Sequence, residues 1–136
     1  MAIKTKKDYT YAVGRRKTAS ARARLFRGKG DSTVNGVLIN KYFQGEVNKD
    51  VWAKPFRVVD GVDKFYATVK VAGGGVSGRV EAVAHAIAKA LAKLDKENFR
   101  RLLKTSGLLS SDSRVRERRK VGTGGRARKQ KQSPKR

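Results

Sequence analysis

The chain has no cysteine and a single histidine, His85. Without thiols there is neither a disulfide framework nor a thiolate metal centre. One imidazole among scattered carboxylates is too little for a metal site, so no metal and no cofactor is expected. Glu81 stands one helical turn before His85. A surface ion pair between them is the expected use, not an acid–base dyad, because no second constellation converges there. No catalytic residue is identified, and the chain does not read as an enzyme. No stretch approaches the ~20 apolar residues that span a bilayer. The opening MAIKTKKDYTY has no apolar signal core, and a cytosolic protein is expected.

Acids are also scarce. Eleven Asp and Glu stand against 34 Lys and Arg, for a formal net charge of +23. Such a chain repels itself, and a dense polyanion relieves the repulsion, which makes nucleic acid the leading partner class over a membrane surface. Large apolar side chains are missing from one end: they run from about Tyr9 to Leu109, and from Ser110 onward only Val115 and Val121 appear. Only the first part can form a core. The expected organisation is a short N-terminal extension over 1–8, a globular α+β nucleic-acid-binding domain over 9–110 and an extended basic tail over 111–136.

Within the domain, Tyr9, Tyr11 and Val13 alternate with Thr10 and Ala12, and Gly14 to Thr18 reads as a loop. A second strand follows, with Ala21, Ala23 and Leu25 on one face and Ser20, Arg22, Arg24 and Phe26 on the other. After the turn at Arg27 to Asp31, Asn35-Gly36 is a strong hairpin signal between Ser32–Val34 and Val37–Ile39. Asn40 and Asn48 are candidate caps for short helical turns, the second ending near Pro55. Phe65, Ala67, Val69 and Val71 then alternate as a strand. Val80, Val83, Ala84, Ile87, Leu91 and Leu94 recur at helical spacing. Asp95 is a candidate cap for a last helix with a Phe99, Leu102, Leu103 stripe, ended by Gly107 with Leu108 packing back. Strands first and helices afterwards predict an α+β fold: a small sheet backed by helices on one face.

Gly73-Gly74-Gly75-Val76-Ser77-Gly78 matches G-x-G-x-x-G between a strand and a helix, with Glu97 about the right distance onward. The parallel strand that should follow a dinucleotide-binding helix is missing, which argues against that fold and against a small-molecule substrate. Two uses of the glycines remain: exposed amides at Gly74, Gly75 and Ser77 that attract phosphate, or close packing of strand on helix. Arg15, Arg16, Lys17, Arg22, Arg24, Arg27 and Lys29 crowd fifteen residues that include no acid. One-sided charge of this kind asks for a phosphate backbone. No aromatic ladder is evident beside them, so base stacking is not expected. The tail carries Arg114, Arg116, Arg118, Arg119, Lys120, Arg126, Arg128, Lys129, Lys131, Lys135 and Arg136 against Glu117 alone. Extended at ~3.3 Å per residue it would reach about 75 Å from Ser113, enough to thread into folded RNA.

Tyr11-Ala12-Val13-Gly14-Arg15-Arg16-Lys17-Thr18-Ala19, the Val34-Asn35-Gly36 turn, Val69 through Gly78, Asp112-Ser113-Arg114, Glu117-Arg118-Arg119-Lys120 and the final Lys135-Arg136 together resemble the ribosomal protein S9 family of the small subunit, in its bacterial or organellar form. The resemblance is collinear from about Tyr9 onward. It implies a structural protein on the head domain of the 16S-type ribosomal RNA (rRNA), beside other head proteins, cytoplasmic or in an organellar matrix or stroma. It implies a small mixed sheet backed by helices, of the ribosomal S5 domain 2-like type, with a left-handed βαβ crossover against the general right-handed rule. It also implies a tail that runs through the rRNA to the peptidyl-site transfer RNA (tRNA), where Lys135 and Arg136 approach the anticodon stem-loop. Relatives commonly end Gln-aromatic-Ser-Lys-Arg. Here Gln132-Ser133-Pro134-Lys135-Arg136 lacks the aromatic, and Thr123-Gly124-Gly125 is an added flexible step. A free nucleic-acid chaperone or histone-like binder is the alternative that the charge alone also permits.

Overall fold

Small side chains, not large ones, decide how the first strands sit. In the computed structural model, which describes residues 9–61, 63–112 and 114–115, β1 (Tyr9–Arg16) and β2 (Ala19–Arg27) form an antiparallel hairpin. Ala12 and Gly14 of β1 and Ala21, Ala23 and Leu25 of β2 are buried. Tyr9 and Tyr11 are on the open side. The anticipated loop at Gly14 to Thr18 shrinks to Lys17-Thr18, with Lys17 at a left-handed φ of 55°. Arg15 and Arg16 therefore belong to the strand.

Asn35 and Gly36, at φ 51° and 84°, make the tight turn between β3 (Thr33–Val34) and β4 (Val37–Leu38), as their sequence demands. The Asn35 side chain imitates a strand residue: its Oδ1 accepts from the Val71 amide at 2.9 Å and its Nδ2 donates to the Val71 carbonyl at 3.1 Å. Helix α1 (Ile39–Tyr42) starts from Leu38, so Asn40 lies inside the turn and does not cap it. Helix α2 (Glu46–Val58) starts from Gly45, so Asn48 lies in its first turn and donates to the Gln44 carbonyl. The helix also continues through Pro55. Trp52, Ala53, Pro55 and Phe56 are buried together, and that burial offsets the hydrogen bond a proline cannot make.

Strand β5 (Phe65–Ala72) pairs antiparallel with β2 and parallel with β3, so the sheet order is β1-β2-β5-β3-β4. The β3-to-β5 connection runs through β4, α1 and α2. Helix α3 (Val76–Leu94) lies across β1, β2 and β5 and carries the core: Val80, Val83, Ala84, Ile87 and Leu91 are buried as predicted, and Leu94 is partly buried. Alanines at 82, 86 and 90 let β1 approach closely, and a side chain at Gly14 would collide with the Ala82 carbonyl and the Ala86 amide. Asp95 does not cap α4 (Phe99–Thr105) directly. Its Oδ1 accepts from the Glu97 and Asn98 amides in the turn before it. Leu103 is buried, but Leu102 of the anticipated stripe is 46% exposed. Gly107 takes φ 77° and the Leu108 amide bonds back to the Leu103 carbonyl, ending the helix as expected. Helix α3 packs on the mixed sheet and α2 and α4 pack on α3, the architecture expected of the S5 domain 2-like type.

Candidate nucleic-acid interface

Among the described residues, no helix covers the other side of the sheet. Pairing register lines up its outward residues in rows: Tyr9, Phe26 and Tyr66; Tyr11, Arg24, Thr68 and Thr33; Val13, Arg22 and Lys70. No residue in these rows is acidic. Arg22 and Lys70 are exposed and directly opposite one another, a cross-strand pair of like charges that destabilises a sheet unless an anion lies between or above them. The sequence reading found Arg22 and Arg24 but missed Lys70, because the β2–β5 pairing joins residues far apart in the chain.

It also missed the aromatics. The rings of Tyr9 and Phe26 lie 5.8 Å apart and those of Phe26 and Tyr66 5.2 Å apart, while the Arg24 guanidinium sits 5.2 Å from the Tyr9 ring centre. The expectation that no aromatic ladder accompanies the arginines is therefore corrected. Strand alternation on its own places Phe26 beside Arg22 and Arg24. That Tyr9 and Tyr66 join the same row depends on pairing.

The remaining cations of the basic run spread along the sheet. Arg15 and Lys17 are exposed at the β1–β2 turn, and Arg27 and Lys29 are exposed at the far end of β2, ~26 Å away at ~3.3 Å per residue. Arg16 differs from all of these. Its side chain is 12% exposed, and its Nε donates to Glu81 Oε2 at 2.6 Å. Asp112 Oδ2 stands 3.5 Å from its Nη2, and its Nη1 donates to the Arg114 carbonyl. Arg16 thus ties Asp112 and Arg114 to α3. Glu81 pairs with it and not with His85, against the expectation above. Arg114 in turn binds Asp112, and this hydrogen bonding holds the Asp112 carboxyl far below the usual carboxylate range.

At the glycine junction close packing accounts for two of the glycines. Gly73 and Gly74 have φ of 77° and 68°, and side chains there would press on Thr18 and Ala19. Gly75 is exposed with free space about it, and Ser77 is exposed in the first turn of α3. Arg79 was not foreseen in this region. Its Nε donates to the Gly73 carbonyl at 3.0 Å and its Nη1 to the Tyr42 hydroxyl at 2.6 Å, which fixes the loop. After α3 the chain enters α4, not a strand, which disposes of the dinucleotide-binding reading. Among the described residues no group of acidic, histidine or cysteine side chains is placed to hold a metal, and no helix is long and apolar enough to cross a membrane. Arg116, Arg118, Arg119, Lys120, Arg126, Arg128, Lys129, Lys131, Lys135 and Arg136 lie outside the described residues.

The model of the family described as ribosomal protein S9/S16 matches residues 14–136. Small ribosomal subunit protein uS9 of Maridesulfovibrio salexigens is 43% identical over 119 residues, which are 88% of this chain and 91% of that protein. The uS9 of Dehalococcoides mccartyi is 45% identical over 131 residues, 96% of this chain and 98% of its own. The uS9 of Anaeromyxobacter sp. strain K is 44% identical over 124 residues, 91% of this chain and 94% of that protein.

Proposed function

The chain belongs to the ribosomal protein S9/S16 family, whose members are structural constituents of the small ribosomal subunit and not enzymes, and on that premise we propose that it grips head-domain rRNA through the open face of its sheet. Arg22, Arg24 and Lys70 supply the centre of that grip, Arg15 and Lys17 one end and Arg27 and Lys29 the other. Gly75 and Ser77 offer amides to a phosphate at the start of α3. The tail continues from Arg114 through the RNA, and its last residues, Lys135 and Arg136, meet the anticodon stem-loop of tRNA at the peptidyl site.

The observation that carries this reading is the acid-free sheet face with Arg22 opposite Lys70. The uncovered pair costs the sheet a few tenths of a kcal/mol to about 1 kcal/mol, a cost that a polyanion lying on this face removes. Arg16 is left out of the RNA contacts, because Glu81 and Asp112 already neutralise it.

The double variant Arg22→Glu plus Arg24→Glu tests the proposal. Both side chains are exposed, and Glu at position 22 would face Lys70, so the domain stays folded. Binding to head-domain rRNA weakens, and each lost phosphate contact flattens the log–log salt slope by about 0.7 to 0.9. A filter-binding titration with an unchanged slope removes this face from the interface.

A further inference from the structure

One part of the open face is a hollow and not a flat surface. A cavity of about 270 Å³ lies between Tyr11 on one side and the Asn35–Gly36 turn on the other, floored by Arg24, Thr68 and Val69 and edged by Arg22 and Lys70. Three cations line it and no acid does. Tyr11 is 43% exposed, and it takes no part in the ring contacts that occupy Tyr9, Phe26 and Tyr66 with one another. Thr33 and Thr68 stand opposite each other in the register and offer hydroxyls to the same hollow.

We propose that this hollow seats one unpaired nucleotide of the RNA, with its base against the Tyr11 ring and its phosphate between Arg22 and Lys70. The proposal rests on the reading of the open face as the RNA surface and makes it more specific. Charge complementarity selects a polyanion. The Tyr11 ring, which meets no other ring among the described residues, selects one that carries an aromatic base free to leave its stack, because a paired base cannot turn its face outward. The threonine hydroxyls then meet the edge of the base or the ribose 2′-hydroxyl.

The test uses the full chain, so that the tail contributes equally in every arm. An oligouridylate of about ten nucleotides and an RNA duplex of similar length serve as probes. Loss of one base–aromatic stack corresponds to about a fivefold to 150-fold loss of affinity. Tyr11→Leu is expected to weaken oligouridylate binding by that factor, leave duplex binding unchanged and leave the salt slope unchanged, since no charge is removed. Tyr11→Phe, which keeps the ring, is expected to bind oligouridylate like the parent chain. Retained duplex affinity in Tyr11→Leu shows that the variant is folded. If Tyr11→Leu binds oligouridylate normally while Arg22→Glu plus Arg24→Glu weakens both probes, the face holds RNA by its phosphates alone and the nucleotide seat is overturned. If Tyr11→Phe falls as far as Tyr11→Leu, the ring is not the contact and the seat is likewise overturned. If neither the charges nor the ring matter to either probe, the RNA reading of the face falls with it.

Discussion

His85 is the one imidazole of the chain, and its surroundings act on its protonation. Burial pushes its pKa below the ordinary 6.5, the contact with the Leu109 carbonyl works in the opposite sense, and Lys89 adds a further push down. The neutral ring must then carry its proton on Nε2, which donates to the Leu109 carbonyl at 3.2 Å, while Nδ1 is buried with no partner among the described residues. Because the unfolded chain takes up this proton near 6.5 and the folded chain resists it to lower pH, the unfolded state binds more protons in between. Stability is therefore full above 6.5 and falls as the pH drops toward the lowered value of the folded state. Asp112 does not confuse the measurement: its lowered pKa gives stability that is present above its ordinary 3.8 and lost only at still lower pH. Thermal melts of the full chain between about pH 7 and pH 5 should show a falling melting temperature, and His85→Gln should flatten that fall. An equal slope in the variant would assign the pH dependence to other groups.

Among the elements, α3 bears most of the weight. It covers the sheet with alanines and fills the gaps with Val83, Ile87 and Leu91, each fully buried. Its outer lysines also seal the sheet edge, Lys89 donating to the Val13 carbonyl at 2.9 Å and Lys93 to the Tyr11 carbonyl at 3.0 Å, so that β1 presents fewer free acceptors to another strand. Leu91→Ala is expected to cost about 2 to 5 kcal/mol, a large share of the ~5 to 15 kcal/mol that holds a small domain folded. Calorimetric or denaturant melts check this, and a melting temperature equal to that of the parent would place the wrong face inward. The helix was legible in the sequence because a long 3.6-residue period is a local signal. β2 was legible for the same reason at period two, and so were the Asn35-Gly36 and Gly107 turns, whose positive φ a local sequence can announce. Misread elements owe their form to distant partners. Gly14 looked like a loop residue and is a contact surface for α3. Pro55 looked like a helix end and is held inside α2 by burial around Trp52 and Phe56. On the interface, Arg22 and Arg24 followed from alternation alone. Lys70, Tyr11 and the neutralisation of Arg16 by Glu81 required knowledge of which strands and helices meet.

At the scale of the molecule, the charge is distributed so that each end of the chain's work has its own cations. Eleven acids serve 34 bases, and two of those acids, Glu81 and Asp112, converge on Arg16 at the root of the tail. His85 holds Leu109 and Arg16 holds Arg114, so the described residues that precede the last basic run are tied to the domain next to the exposed Arg15 and Lys17. On the function proposed above, this gives the tail two separable tasks. The block from Arg114 to Lys120 starts at the anchored root and carries enough charge to neutralise several phosphates, so it should supply most of the tail's hold on rRNA. Lys135 and Arg136 end a reach of about 75 Å and add little to that hold, but two charge-assisted contacts to a tRNA phosphate backbone are worth about 1 to 3 kcal/mol together. Deleting Lys135 and Arg136 should therefore leave subunit assembly intact and weaken tRNA held at the peptidyl site, more strongly at low salt, where exposed charges are screened less. The measurement is tRNA affinity for purified small subunits carrying the full-length or the shortened chain, across a salt series. If the shortened chain leaves that affinity unchanged at every salt concentration, Pro134 and the missing aromatic have redirected the end of the tail, and its basic residues serve the rRNA alone.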